Sequence, residues 1–340
     1  MWFMQNKPDT LVIGGTGLVG SHLLWLLAQQ GSVMASGRTE KNRSRVRSLF
    51  IHYDSVRGAE LFNNISWIDL DVLDVDAVQR AINPMIKVYH CAALVSFHRI
   101  DFYRCIALNR EGTANVVNAC LAVSGLRLCY VSSTAAVGTN PNGEITENCL
   151  WESSDKNSGY SVSKFGAEKE VWRGIEEGLD AVIINPCTVI GPGNWTEGSM
   201  EMFRVAERGL LFYPSESNAT VDARDVAKSM VFLMDSGIRN ERFLCTGTNK
   251  DFRGLFTAIA HTMGKNGPRF FAPKWLAIPA SYLLETLSLL RKRRQGMTIE
   301  SAQAAYSTRI YNASKLKSLM KQPFFTLEES ISNAIQGRML

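Results

Sequence analysis

Along the chain, short apolar runs alternate with longer segments in which apolar residues recur at helical spacing, and this rhythm holds from the start to about residue 185. Residues 11–13 predict a strand that runs into a glycine loop. Residues 18–30, with Leu23, Leu24, Leu26 and Leu27 on a helical repeat, predict the helix that follows, and Gly31 ends it. A second strand is predicted over 32–36, and the basic segment 38–47 reads as loop and helix start. Further strands are expected at 65–70, 87–91, 127–132, 181–185 and 242–246, with helices at 75–82, 104–123 and 160–177 between them. Parallel strands need long crossovers, so this alternation predicts an α/β architecture: a doubly wound parallel sheet of about six or seven strands.

The rhythm breaks after Asn185. The segment IGPGNWTEGSM is rich in glycine and turn formers, and residues 248–340 read as mostly helical. The expected division is a nucleotide-binding part from residues 1–185 plus about 219–247, and a smaller, mostly helical substrate lobe from about 186–218 plus 248–340. The most apolar late stretch, 275–290, is interrupted by Pro279 and Glu285. It is also shorter than the ~20 residues a spanning helix needs, so no transmembrane segment is expected. The first ten residues, MWFMQNKPDT, lack the apolar stretch of a signal peptide, which predicts a cytoplasmic protein.

Composition adds exclusions. With 340 residues, 46% of them hydrophobic and 20% charged, the chain can bury a large core. A formal charge of +5, from 37 basic and 32 acidic residues, is too mild and too local to suggest nucleic acid as a partner. The seven cysteines are widely spaced with no CxxC pair, so reduced thiols are expected rather than a disulfide framework or a metal site. One local feature stands out: residues 275–294 join the apolar stretch to Arg291, Lys292, Arg293 and Arg294. A lobe helix followed by a solvated loop is the preferred reading, and peripheral contact with an anionic membrane is the alternative.

The first chemistry lies in GGTGLVG, where Gly14, Gly17 and Gly20 are three apart, after a strand and at the start of a helix. Gly14 allows a tight turn, Gly17 a close approach of backbone to a pyrophosphate, and Gly20 close packing of helix on strand. The helix N-terminus favours the phosphate charge. Thr16, Leu18 and Val19 complete this dinucleotide loop of Rossmann type. An NAD site usually has an acidic residue at the end of the second strand; here Gly37 and Arg38 stand there. Arg38, assisted by Lys41 or Arg43, suits a 2′-phosphate, so NADP(H) is preferred and NAD(H) is the alternative. Asp71 and Val72, after the third strand, are candidates to contact adenine.

In YSVSK, Tyr160 and Lys164 are four apart near a helix start and project from one face. A charged lysine and an oxidised nicotinamide would lower the phenol from its usual ~10 toward the range of a general acid/base. A YxxxK string is common on solvated helices. Ser133 adds weight because it ends the strand RLCYVSS on the carboxyl edge, where open α/β sheets bind ligands. Ser132 and Thr134 offer the same hydroxyl chemistry, and position alone leaves the three open.

The order VIGGTGLVG, DVLD, VYHCAA, NREGTANV, YVSSTAAVG, YSVSK and INPCTVIGPG resembles the extended short-chain dehydrogenases/reductases. It is most similar to the branch of dihydroflavonol reductases, cinnamoyl-CoA reductases and 3β-hydroxysteroid dehydrogenases. The resemblance implies that Ser133 is the catalytic serine, that Tyr160 moves the proton, that Lys164 also holds the nicotinamide ribose, and that Asn109 supports a relay. It implies cofactor contacts from Ala92, Ala93, Pro186 and Val189, and it raises the expectation of a homodimer.

The implied activity is interconversion of a ketone or aldehyde and an alcohol on a bulky, weakly polar small molecule. Phe97, His98, Trp195 and Phe203 are candidate substrate contacts, with Met200, Met202 and Phe212 nearby in sequence, although helical aromatics of this kind are often core. Nucleotide-sugar epimerases and dehydratases share the fold. Their usual RD pair is replaced by Asn218 and Ala219 ahead of VDARDVA, which disfavours that alternative. A non-catalytic NADP sensor is the remaining reading, and retention of Tyr160 and Lys164 argues against it.

Overall fold

The structure, a computed structural model, describes residues 8–140, 143–154, 157–290 and 298–338, with the backbone alone for 287–290. Its strands are β1 (Thr10–Ile13), β2 (Val33–Ser36), β3 (Ile65–Ile68), β4 (Lys87–His90), β5 (Arg127–Val131), β6 (Asp180–Pro186), β7 (Thr188–Ile190), β8 (Phe212–Tyr213), β9 (Ser217–Asp222), β10 (Glu241–Cys245), β11 (Thr248–Asp251) and β12 (Phe270–Phe271). The helices are α1 (Leu18–Ala28), α2 (Glu40–Tyr53), α3 (Gly58–Phe62), α4 (Val75–Ile82), α5 (Phe102–Cys105), α6 (Gly112–Leu121), α7 (Gly159–Glu176), α8 (Glu201–Glu207), α9 (Ala223–Asp235), α10 (Phe252–Thr262), α11 (Lys274–Leu290), α12 (Ile299–Ala305), α13 (Ser314–Met320) and α14 (Leu327–Gln336).

Seven strands form one sheet in the order β10-β6-β5-β4-β1-β2-β3, and every neighbouring pair is parallel. Its strands are apolar on both faces because helices cover both. Leu11 and Ile13 of β1 point into one core layer with Val78, Val116 and Val171, while Val12 points into the other with Leu23, Leu27 and Met230. In β6, Ala181 and Ile183 join the first layer, Val182 and Ile184 the second. The period-2 alternation of a strand thus sorts a continuous apolar run between two helical layers. Strand order reverses between β1 and β4, which creates a crevice at their carboxyl ends.

Two expectations need correction. The helix expected over 104–123 runs without interruption from 102 to 121 but widens between α5 and α6 into a π-helical stretch, Ile106–Glu111. Within that wide turn the Asn109 carboxamide bonds the Leu94 backbone on both sides, accepting from Leu94 N–H at 2.7 Å and donating to Leu94 O at 3.0 Å. Such π-turns often mark functional sites. The segment after Asn185 is also richer in strand than its turn-forming composition suggests: β7, β9 and β11 form a second, three-stranded sheet, and β8 pairs with β12. A third apolar cluster, including Ile190, Phe203, Leu255, Ile259 and Ile331, packs α8, α10 and α14 together.

No helix among the described residues is long and apolar enough to cross a membrane. Helix α11 carries Pro279 inside it and turns Trp275, 76% exposed, Leu276 and Leu283 outward, while Glu285 is buried and accepts from Ile299 N–H at 2.9 Å. The basic run Arg291 to Arg294 lies outside the described residues.

Candidate active site

The glycine loop is built by close approach. Gly14 has φ +85°, a left-handed conformation, and a Cβ there would stand 2.5 Å from Ala92 N. At Gly20 a Cβ would stand 2.2 Å from Gly14 O, so the first turn of α1 rests directly on the loop. Gly17 differs: a Cβ there would meet only Gly14 O, at 3.4 Å. Its outer side is open space at the helix N-terminus, where Gly17 is the N-cap and no side chain fills the capping role. Unfilled N–H groups beside an open glycine are what a pyrophosphate requires, so these residues fit a dinucleotide. Thr16 lies against Gly37, and Gly14 N–H donates to Ser36 Oγ at 2.8 Å, which ties the end of β2 to the loop.

Arg38, just past β2, is exposed and forms no hydrogen bond or ion pair with any described residue. Arg43 is committed instead, donating to Gly37 O at 2.8 Å with its guanidinium 5.8 Å from the Trp67 ring. Among the described residues, Arg38 is therefore available at the strand end where Arg43 is not. On the far side, Val72 is buried against Gly112, and its carbonyl accepts from Asn115 at 2.9 Å. Asp71 is exposed, and its carboxylate accepts from Leu73 N–H at 3.0 Å. Ala92 and Ala93 follow β4 beside the loop. Pro186 ends β6, and Val189 lies in β7 with its carbonyl bonded by Ser199 Oγ at 2.6 Å.

Helix α7 begins at Gly159 because Ser158 caps it, accepting from Ser161 N–H at 3.0 Å. Gly159 is required where Phe102 packs, since a Cβ would lie 2.8 Å from its ring. Spacing of four then puts Tyr160, Lys164 and Glu168 on one face. Ser133 stands two residues past β5 as the cap of a short 3₁₀ turn, accepting from Ala135 N–H at 3.1 Å. The Tyr160 phenol lies close to the Ser133 hydroxyl, and Phe97 packs edge-on against the Tyr160 ring at 5.6 Å. Asn109 also donates to Ser163 Oγ at 2.8 Å, which fixes the π-turn against α7.

Burial, rather than the charge of Lys164, dominates the electrostatics of Tyr160. Burial pushes Tyr160 up to about 12, and the nearby Ser133 hydroxyl opposes this only in part. Lys164, 1% exposed, donates to Tyr130 Oη and to Val131 O, each at 2.8 Å. Burial pushes Lys164 down to about 7, with the Glu168 carboxylate opposing. Burial thus keeps Tyr160 protonated at neutral pH and brings the ionisation of Lys164 toward neutrality.

Behind Ser133 lies a buried hub that the sequence did not signal. Glu168 accepts from Ser132 Oγ at 2.6 Å, from Asn185 Nδ2 at 2.7 Å and from Arg242 Nη1 at 3.0 Å. Asn185 Nδ2 also donates to Ser133 O at 3.0 Å. This makes Ser132 a structural hydroxyl and leaves Ser133 facing Tyr160. The substrate candidates divide. Phe97 touches Tyr160, and half-buried His98 lies near Glu201. Trp195 and Phe203 are buried in the third cluster, their rings 5.5 Å apart, so they serve as core at these positions. No cluster of potential metal ligands occurs among the described residues.

Comparison with known proteins agrees with this geometry. The sequence model of the NAD dependent epimerase/dehydratase family matches residues 10–245. A protein named putative dihydroflavonol 4-reductase, from Synechocystis, is 26% identical over 333 residues, covering 95% of this chain and 92% of its own. Cinnamoyl-CoA reductase 1 of Petunia hybrida is 28% identical over 245 residues, covering 69% and 71%. The crystal structure of gox2253 superposes with a TM-score of 0.78 at 24% identity, covering 97% and 98% of the two chains. At that identity the superposition speaks for the fold, while the family match extends from β1 through β10. The chain belongs to the NAD dependent epimerase/dehydratase family, as an extended short-chain dehydrogenase/reductase, and is an NAD(P)-dependent oxidoreductase.

Proposed function

We propose that the protein is an NADP(H)-dependent reductase that interconverts a ketone or aldehyde and an alcohol on a bulky, weakly polar substrate. The observation that carries this reading is the Ser133 and Tyr160 hydroxyl pair, on the carboxyl edge of the sheet beside the glycine loop, with Phe97 forming an apolar wall. When bound, the nicotinamide supplies or accepts the hydride. The protein's own part is to orient and to move a proton. Tyr160, held neutral by burial, gives its proton to the carbonyl oxygen during reduction, and the Ser133 hydroxyl bonds that oxygen. Lys164 beneath the site holds the nicotinamide ribose, and its charge supports the phenolate left behind. Asn109 fixes the Leu94 backbone that borders the site.

The cofactor preference rests on Arg38, an exposed guanidinium in place of the acidic residue that NAD sites favour. Against a sugar nucleotide stands Ala219, fully buried on β9, which offers no polar group where epimerases carry one. Fluorescence titration with NADPH and NADH, on the wild type and Arg38→Ala, tests the cofactor. NADPH should bind at least about tenfold tighter to the wild type, and the variant should lose most of that difference. Equal or tighter NADH binding would remove the role given to Arg38. A panel of aromatic, aliphatic and steroidal ketones tests the chemistry, and turnover of nucleotide sugars alone would replace reduction by epimerisation.

A further inference from the structure

Tyr130 is a residue that the reading above does not use, yet its side chain is hydrogen-bonded to Lys164. It sits on β5, 0% exposed, with its hydroxyl accepting from Lys164 Nζ at 2.8 Å and the ammonium 4.5 Å from its ring centre. Its hydroxyl also lies beside the side chain of Thr113. Thr113 Oγ1 donates to Asn109 O at 2.5 Å and lies 3.0 Å from His90 Nε2. One assignment of protons satisfies these bonds: Lys164 donates to Tyr130, Thr113 to the Asn109 carbonyl, and His90 to Thr113 through Nε2. His90 then keeps a bare Nδ1, which has no partner, and burial holds this ring neutral, down to about 3.

From this contact we infer that Tyr130 is a positioning residue: its hydroxyl fixes the Lys164 ammonium under the nicotinamide-ribose site. This rests on the proposal that Lys164 holds the ribose. A phenylalanine at this place would fill the same apolar core between His90 and α7, so the hydroxyl is not needed for packing. What the hydroxyl adds is an acceptor for a cation that burial otherwise destabilises. The groups facing that cation are Tyr130 from β5, His90 and Cys91 from the end of β4, and Glu168 from its own helix. Only Glu168 among them brings a negative charge, and that carboxylate is shared by Ser132, Asn185 and Arg242. Loss of the Tyr130 acceptor therefore favours the neutral amine.

The test is the pH dependence of NADPH affinity, read by fluorescence titration on the wild type, Tyr130→Phe and Lys164→Met. Affinity should fall as pH rises through the ionisation of Lys164, and Lys164→Met should abolish that limb, which identifies it. Tyr130→Phe should move the limb to lower pH by about one unit, the value of one hydrogen bond to a charged group. A limb that is present in the wild type, absent in Lys164→Met and unmoved in Tyr130→Phe overturns the inference. So does a wild type with no Lys164-dependent limb. Should Tyr130→Phe fail to fold, Tyr130→Leu also removes the hydroxyl and should move the limb the same way, and an unmoved limb there overturns the inference as well. The reductase reading fails separately, if Tyr160→Phe still turns over ketones.

Discussion

Single residues in the glycine loop divide into those the fold needs and one that the ligand needs. Gly20→Ala would force a Cβ to 2.2 Å from Gly14 O, a backbone atom that cannot yield, so a loss of about 2–4 kcal/mol in chemical denaturation is expected. Gly17→Ala meets nothing closer than 3.4 Å and sits at a helix cap. Its stability should stay within about 0.5 kcal/mol of wild type, while NADPH affinity falls tenfold or more as the methyl group enters the pyrophosphate space. The reverse pattern, a destabilised Gly17→Ala that still binds NADPH normally, would show that the loop is only a turn. At this scale the sequence was legible where spacing and backbone geometry coincide, as in the three glycines. It was not legible for Lys164: spacing puts Tyr160 and Lys164 on one face, but only the folded core decides that the ammonium reaches Tyr130. A tyrosine inside an apolar strand reads as packing, and nothing in RLCYVSS marks its hydroxyl.

Among the elements, α7, β5, β6 and β10 meet at Glu168. This carboxylate, 2% exposed, joins the serine turn to Asn185 and to Arg242, and Trp172 Nε1 approaches it at 3.3 Å. Glu168→Ala leaves the Arg242 guanidinium, itself mostly buried, without its charge partner and frees the Ser133 turn. A loss of about 3–5 kcal/mol is expected in urea unfolding, with Glu168→Gln losing less because the amide still accepts hydrogen bonds. Equal, small effects in both variants would mean that Arg242 is held by its bonds to the Glu147 and Cys149 carbonyls alone. The main sheet was readable at this scale because its buried strands are apolar runs between helical repeats. The second sheet was not, since SNATVD and TNKD are polar and short and are held as strands by pairing with each other. The π-turn escaped because its cause, the Asn109 clamp on Leu94, is a tertiary contact.

At the scale of the molecule, the sheet brings three distant pieces of sequence to one crevice: the loop after β1, the turn after β5 and the start of α7. The strand reversal between β1 and β4 makes that crevice, and α12 closes toward it, with Glu300 accepting from Gly159 N–H at 3.2 Å. The central claim is that this crevice binds NADPH by its loop and performs proton chemistry at Tyr160. Tyr160→Phe tests it most directly, because the phenyl ring keeps the packing against Phe97 and removes only the hydroxyl. The decisive measurement is NADPH oxidation at 340 nm with the best ketone of the panel, paired with fluorescence titration of NADPH on the same preparation. The account predicts a rate at least about 10²-fold lower with NADPH affinity unchanged. A variant that retains the wild-type rate would contradict it.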